Sequence, residues 1–219
     1  MLERTELEQL RERGFHFEDP FEVIGLFESM IAEYVGASEG IAVDSCTHAL
    51  ELSLRYLKAS GVIEVPRRTY LSVPMTVLKL GGKIRWVDLE WKESYALTPY
   101  PVIDAGVGFR KDSYTENSFM CLSFQQKKTL PIGRGGMILT SDKEAAHWLR
   151  KASYDGRTRG RLWKNDPVEM LGYHYYMTPE DAARGILLFQ DLLTDSFKFG
   201  GSQDYPDLSG LKVFKDHGD

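Results

Sequence analysis

Short apolar runs alternate with amphipathic helical patterns along most of this 219-residue chain. The periodicity predicts a helix over about 21–34, followed by strand, helix, strand, helix, four strands and two helices. Short connections between alternating strands and helices predict parallel pairing, with helices on both faces of the sheet. The glycine-rich turn at 133–136 predicts an antiparallel pair. The sequence therefore predicts an α/β fold with a mainly parallel, mixed sheet.

Composition bounds the class of protein. With 42% hydrophobic and 12% aromatic residues, the chain can bury one substantial core. The net charge of -5 argues against a nucleic-acid-binding protein. No apolar run is long enough to cross a membrane, and the charged N-terminus is unlike a signal peptide, so we expect a cytoplasmic protein. Cys46 and Cys121 are predicted to be free thiols, and no metal-ligand set is predicted.

A lysine stands where covalent chemistry is possible. Lys128 follows the apolar run 119–124 and precedes the glycine-rich turn, so its loop is held on both sides. An amine in such a place can lose its charge by desolvation and condense with a carbonyl group. The alternative is that Lys127 and Lys128 are two solvated loop lysines, and this segment alone does not decide.

A helix start provides a second feature. The apolar run 41–43 ends in Ser45, Cys46 and Thr47, and a helical pattern follows. Free backbone N–H groups and the helix dipole attract phosphate at such a start. An ordinary N-cap by Ser45 or Thr47 is the alternative, and the two interpretations are compatible.

Three further segments carry candidate residues. Tyr70 follows the strand-like run that ends at 66, where it can stack on a planar ring or simply pack. Asp104 ends an apolar strand at the edge where α/β sheets bind ligands, where it can hold a pyridinium proton or cap a turn. Thr178 and Pro179 are typical of a helix start.

In this order, the segments resemble the DegT/DnrJ/StrS-type sugar-nucleotide aminotransferases, which are pyridoxal 5′-phosphate (PLP) enzymes of fold type I. The resemblance runs from about Phe21 to about Leu193. It implies the PLP-transferase large domain over 1–195, with a helical extension at 1–20 and a C-terminal tail at 196–219. The small C-terminal domain of the family is largely absent from this sequence.

The resemblance also implies roles for individual residues. Lys128 would form the Schiff base with PLP and act as acid and base, and Asp104 would pair with the pyridine nitrogen. Ser123 and Thr47 would bind the phosphate, and Tyr70 would stack over the ring. The implied cofactor-binding set is Ser45, Cys46, Thr47, His48, Tyr70, Asp104, Val107, Ser123, Lys128 and His174.

Several positions depart from the family pattern. Cys46 stands where the family has glycine, and His48 stands where it has a small residue. Val107 replaces a Gln or His near the cofactor hydroxyl. His174 replaces an asparagine that reaches the phosphate of the neighbouring subunit in a homodimer, and Tyr176 replaces an arginine. These changes predict altered cofactor contacts and an unusual choice of substrate.

A basic segment offers candidate substrate contacts. Six basic residues lie between Arg150 and Lys164, after a helix that the capping-box sequence 141–144 is predicted to start. A glycine-rich basic loop suits a nucleotide diphosphate, and the equivalent family loop lies near the substrate. Arg157 and Arg159 are therefore predicted to bind substrate. Tyr176, which stands where the family has an arginine, is the third predicted substrate-binding residue. The alternative is a solvated loop with a helix-terminal cation.

The resemblance implies an aminotransferase that moves an amino group from glutamate to a nucleotide-linked keto-sugar. The alternative is a non-catalytic PLP-binding or scaffold protein derived from the same family. The missing C-terminal domain, Val107 and Tyr176 favour that alternative. The joint presence of Lys128, Asp104, Ser123 and Thr47 opposes it. A separate polypeptide that supplies the missing domain is a third possibility.

Overall fold

The computed structural model describes residues 4–192 and 200–215. The helices among them are α1 (Thr5–Glu12), α2 (Glu22–Val35), α3 (Cys46–Tyr56), α4 (Ser72–Lys79), α5 (Lys143–Ser153), α6 (Pro179–Leu192) and α7 (Lys212–Lys215). The strands are β1 (Glu39–Val43), β2 (Val62–Pro66), β3 (Lys83–Val87), β4 (Tyr95–Ala96), β5 (Val102–Asp104), β6 (Phe119–Ser123) and β7 (Gly136–Thr140). Two 3₁₀ turns span Trp163–Asn165 and Ser202–Asp204. The predicted order is confirmed, and β4, α7 and both 3₁₀ turns are additional.

The strands form two sheets. The larger has the order β1-β7-β6-β5-β4, and β2 and β3 form a separate parallel pair. The predicted antiparallel pair across the glycine-rich turn is β6 with β7. The sheet is mixed, as predicted: β1, β5 and β6 run in one direction, and β4 and β7 run in the other. Adjacent pairing is less parallel than predicted, because β7 separates β1 from β6 and the two-residue β4 folds back on β5.

Helices cover both faces of the larger sheet. Successive strand residues point to opposite faces, so Met137 and Leu139 join the core under α1, α2 and α6, while Ile138 joins the core under α3, α4 and α5. All three side chains are fully buried. This two-sided burial explains why the strands read as continuous apolar runs in the sequence.

Side chains of the expected types start three helices. Ser45 is the N-cap of α3, because its hydroxyl accepts the His48 N–H at 3.2 Å. Thr178 accepts the Asp181 N–H at 3.1 Å, which confirms the predicted start of α6. The start of α5 is one residue later than the predicted capping box, because Asp142 rather than Ser141 accepts the Ala145 N–H.

The C-terminal residues pack on the domain. The predicted boundary between 195 and 196 lies outside the described residues. Residues 200–215 of the predicted C-terminal tail pack on the core: Leu208 and Phe214 are buried, and Phe214 meets the Trp86 ring edge-on at 5.4 Å. The N-terminal helix α1 also packs on the domain, because Leu7 and Leu10 are buried in its core. In the described ranges, no helix has the length and apolar character needed to cross a membrane, and a cytoplasmic location remains a prediction.

Candidate active site

A cleft of about 740 Å³ opens at the edge of the sheet where β1, β5 and β6 end. Ligands bind at this edge in α/β folds, because several strands release loops and helix starts there. Eight of the predicted site residues line the cleft: Ser45, Cys46, Thr47, Tyr70, Asp104, Val107, Ser123 and Lys128.

The start of α3 forms the polar end of the cleft. Its first N–H groups have no acceptor inside the helix, and Ser45 takes only that of His48. Those of Cys46 and Thr47 remain at the positive end of the helix dipole. The Thr47 hydroxyl is 2.7 Å from that of Ser72, which joins the starts of α3 and α4. This end of the cleft is suited to a phosphate group.

Asp104 is the acid of the cleft. Its Oδ2 accepts the Tyr95 hydroxyl at 2.7 Å, and its Oδ1 accepts the Gly106 N–H at 2.9 Å. The Tyr95 hydroxyl is also hydrogen-bonded to the hydroxyl of Thr69. Burial raises the pKa of Asp104, while the Tyr95 hydroxyl, the Gly106 N–H and the charge of Lys128 act against that rise. The carboxylate is thus held in one orientation with lone pairs to spare.

Lys128 lies on a loop that is closed at its base. The Phe124 N–H donates to the Gly135 carbonyl oxygen at 3.0 Å, and the Gly133 N–H donates to the Phe124 carbonyl oxygen at 3.1 Å. Lys127 is exposed, whereas Lys128 is partly buried. The charge of Lys128 lowers the pKa of Asp104 and of Cys46, and burial raises both more strongly. Of the two lysines, Lys128 is therefore the one near the acid.

Cys46 stands between the acid and the sheet. Its Sγ is 3.9 Å from Asp104 Oδ1 and 3.7 Å from the Cys121 carbonyl oxygen. Burial and then the negative charge of Asp104 raise the pKa of the Cys46 thiol well above its usual value. The thiol is therefore a weak hydrogen-bond donor and no thiolate. Neither cysteine is in a disulfide.

Two glycines keep the cleft open. A Cβ on Gly106 would lie 3.1 Å from Asp104 Oδ1 and 3.7 Å from Ser123 Cβ, so its absence leaves space between those two side chains. A Cβ on Gly136 would lie 2.5 Å from the Cys46 nitrogen, so β7 approaches the start of α3 only because Gly136 has no side chain. A flat ring with a phosphate arm fits this arrangement of acid, lysine and helix start.

The remaining predicted residues lie elsewhere. The His48 ring stacks on Tyr175 with centroids 3.6 Å apart, and its Nδ1 is 2.5 Å from Asp44 Oδ1. His174 is exposed, with Nδ1 3.0 Å from Asp155 Oδ2. Tyr176 packs edge-on against the Tyr154 ring. None of the three lines the cleft of its own chain.

The two loop arginines are also outside the cleft. Arg159 donates to the buried carboxylate of Glu28 at 2.8 Å, beside Arg150, which pairs with both Glu28 and Glu39. Arg157 lies over the Tyr154 ring, 5.0 Å from its centroid. The two arginines that were predicted to bind substrate thus contact Glu28 and Tyr154 within this chain.

Sequence reasoning missed several residues of the cleft. Ser72, Trp91, Asp204 and Tyr205 all line it, and Tyr95 orients its acid. Ser72 is the first residue of α4 and Tyr95 lies in the two-residue strand β4, so apolar periodicity marks neither of them as a site residue. In the described part of the chain, no group of three or more His, Cys, Asp or Glu side chains could hold a metal ion.

This arrangement of lysine, acid and helix start defines the class of a PLP-binding α/β protein. Residues 3–105 and 111–193 match the model of the DegT/DnrJ/EryC1/StrS aminotransferase family. Since the match covers most of the chain, the protein belongs to that family. PLP is the cofactor that this family match indicates, and the cleft fits it.

Two curated proteins are similar in sequence to this chain. The chain is 25% identical to spore coat polysaccharide biosynthesis protein SpsC of Bacillus subtilis (strain 168). It is 22% identical to UDP-4-amino-4,6-dideoxy-N-acetyl-beta-L-altrosamine transaminase of Campylobacter jejuni. Each alignment covers 73% of this chain and 54% of the relative. The chain therefore spans about half the length of the curated relatives it matches.

Solved structures share the fold. Sugar aminotransferase CalS13 from Micromonospora echinospora superposes with a TM-score of 0.68 at 17% identity, covering 86% of this chain and 65% of that one. DesV from S. venezuelae, in complex with a ketimine intermediate, gives a TM-score of 0.67 at 20% identity, with 87% and 62% covered. These similarities establish a PLP-transferase α/β fold that is shorter than its neighbours.

Proposed function

We propose that this chain is a PLP-dependent aminotransferase that moves an amino group from glutamate to a nucleotide-linked keto-sugar. The observation that carries the proposal is that Lys128, Asp104 and the helix start at Thr47 line one cleft in a chain of an aminotransferase family. The Campylobacter relative is named as a transaminase of a UDP-linked amino sugar, which supports the substrate class. Glutamate as donor rests on the family resemblance alone.

Each proposed role follows from a local property of the cleft. When bound, PLP supplies an electron sink for the carbon that loses its proton. Asp104 holds the positive charge of the ring nitrogen: burial raises its pKa, and the Tyr95 and Gly106 donors, which oppose that rise, orient the carboxylate towards the ring. The Lys128 amine moves the proton between the reacting carbons. The N–H groups of α3, with Thr47 and Ser123, bind the phosphate, and Tyr70 covers the ring.

Spectroscopy of the purified protein tests the proposal. We expect PLP to give a visible absorption band, which glutamate bleaches as the amino group moves onto the cofactor and 2-oxoglutarate is released. A nucleotide-linked keto-sugar should then restore the band and appear as the amino-sugar. A chain that binds PLP but never releases 2-oxoglutarate from glutamate would contradict the assignment.

The non-catalytic alternative, a PLP-binding or scaffold protein, makes a different spectroscopic prediction. It predicts a visible band that no amino donor bleaches. It also predicts that the band is the same whether or not a keto-sugar is added. The same titration therefore separates the two functions.

We also propose a homodimer in which His174 serves the neighbouring site. In its own chain His174 is exposed and outside the cleft, which supports a role across an interface. Mixing Lys128→Ala chains with His174→Ala chains should rescue activity, because a hybrid dimer has one site with both residues. Random pairing predicts about a quarter of the wild-type rate. No rescue in a mixture whose hybrid dimers are demonstrated by mass would refute the shared site.

A further inference from the structure

The described C-terminal segment, residues 200–215, returns to the cleft although the family match ends at residue 193. Three backbone hydrogen bonds attach it to the domain. The Glu93 N–H donates to the carbonyl oxygen of Gly200 at 2.9 Å, and the Ser202 N–H donates to that of Trp91 at 2.9 Å. The Leu208 N–H donates to the carbonyl oxygen of Arg67 at 2.8 Å. The segment is therefore attached both to the loop that precedes β4 and to the residue that follows β2.

Apolar contacts add to this attachment. Leu208 and Phe214 are buried in the same core cluster as Trp91 and Tyr95. Gly200 lies against Val107, since a Cβ on Gly200 would be 3.4 Å from the Val107 side chain. Burial of two large apolar side chains stabilises the segment by a few kcal/mol. Its position does not depend on the polar backbone contacts alone.

Tyr205 is the part of the segment that lines the cleft, together with Asp204. Its ring packs against the Trp91 ring, with centroids 5.6 Å apart and planes at 33°. The Trp91 indole N–H in turn donates to the Arg68 carbonyl at 2.8 Å. Asp204 accepts the Gly201 N–H at 2.9 Å, which fixes the turn just before Tyr205. The Tyr205 ring is thus held in place from behind.

The Tyr205 hydroxyl has hydrogen-bonding capacity to spare. No residue in the described ranges forms a hydrogen bond with it, in contrast to the hydroxyl of Tyr95. Burial, followed by the negative charges of Asp104 and Asp204, raises the pKa of Tyr205 to about 12. The phenol therefore stays protonated near neutral pH and can donate a hydrogen bond into the cleft.

We propose that Tyr205 is a cofactor-contacting residue of this chain: its ring forms a wall of the cleft, and its hydroxyl donates a hydrogen bond to bound PLP. The inference rests on the proposed function of the cleft. It gives a role to a segment beyond the family match. The same segment covers Val107, an apolar side chain that offers the cofactor no hydrogen bond.

PLP binding by variants tests this role without relying on turnover. Dissociation constants for PLP alone are measured by tryptophan fluorescence for wild type, Tyr205→Phe, Tyr205→Ala and Val213→Ala. Loss of one hydrogen bond predicts about 3- to 10-fold weaker binding for Tyr205→Phe. Loss of the ring as well predicts more than about 10-fold for Tyr205→Ala. Val213, exposed on α7 of the same segment, is the matched control and should bind as wild type does.

The outcomes separate this inference from the proposed function. One outcome is that wild type forms its visible band while Tyr205→Phe and Tyr205→Ala bind PLP as tightly as wild type does. In that case the proposed Tyr205 contact is refuted and the aminotransferase proposal stands. Tighter binding by Tyr205→Ala would mean that the ring obstructs the cleft, which also refutes that contact. If Tyr205→Ala fails to fold, Tyr205→Phe decides alone, because it keeps the ring against Trp91. If wild type binds no PLP, both proposals are wrong.

Discussion

Replacing Lys128 by alanine is expected to abolish the borohydride-reducible link between the protein and PLP. The same change should lower transamination by about 1,000-fold or more, because the amine is both the point of attachment and the group that moves the proton. Mass spectrometry of the reduced, digested protein locates the link, and release of 2-oxoglutarate measures the rate. The Lys128→Ala chain should still bind PLP non-covalently, since Asp104 and the start of α3 remain.

Lys127→Ala is the matched control for this change. The two lysines are adjacent and carry the same charge, but Lys127 is exposed while Lys128 is partly buried near Asp104. We expect Lys127→Ala to keep the reducible link and most of the activity at saturating substrate. A reduced link found on Lys127 would move the reactive position by one residue and contradict the assignment.

Gly136→Ala is expected to destabilise the protein by about 2–4 kcal/mol and to weaken PLP binding. The added Cβ would lie 2.5 Å from both the Cys46 nitrogen and the Ser45 carbonyl carbon. Both are backbone atoms, so no side-chain rotation can relieve the contact. The start of α3 must then move away from β7, and the phosphate-binding end of the cleft moves with it. Urea unfolding measures the first effect, and PLP titration measures the second.

Gly25→Ala provides the control for Gly136→Ala. Gly25 lies on an exposed position of α2, where a Cβ meets no atom within 4 Å. Alanine favours a helix interior over glycine by about 1 kcal/mol, so this change should be neutral or stabilising. Equal unfolding midpoints for the two variants would contradict the steric explanation.

The part of the site that lies at strand and helix ends could be predicted from the sequence. Asp104 ends β5, Thr47 is in the first turn of α3, and Lys128 lies between two strands, so apolar periodicity alone locates their backbones. Because β1, β5 and β6 end at one edge of the sheet, these three residues come together. The order of motifs then distinguished Lys128 from an ordinary loop lysine.

The part that depends on tertiary partners could not be predicted. Nothing local to Arg159 indicates that Glu28, 131 residues away, accepts its hydrogen bond. His48 has the sequence position of a cofactor contact, but Tyr175 and Asp44 hold its ring outside the cleft. Tyr205 lies beyond the family match, so neither periodicity nor resemblance pointed to it. Each of these placements is decided by a contact between segments far apart in the chain.

The ion pairs of Glu28 restrict which cations would be free to meet the diphosphate of the proposed substrate. Arg150 and Arg159 neutralise that buried carboxylate and would leave it uncompensated if they turned outward, at a cost of several kcal/mol. Lys127 and Arg134 line the cleft and both are exposed, although Arg134 also pairs with Asp44 at 2.8 Å. In the proposed function, attraction of the diphosphate would therefore fall to Lys127 and Arg134, on the same loop as Lys128.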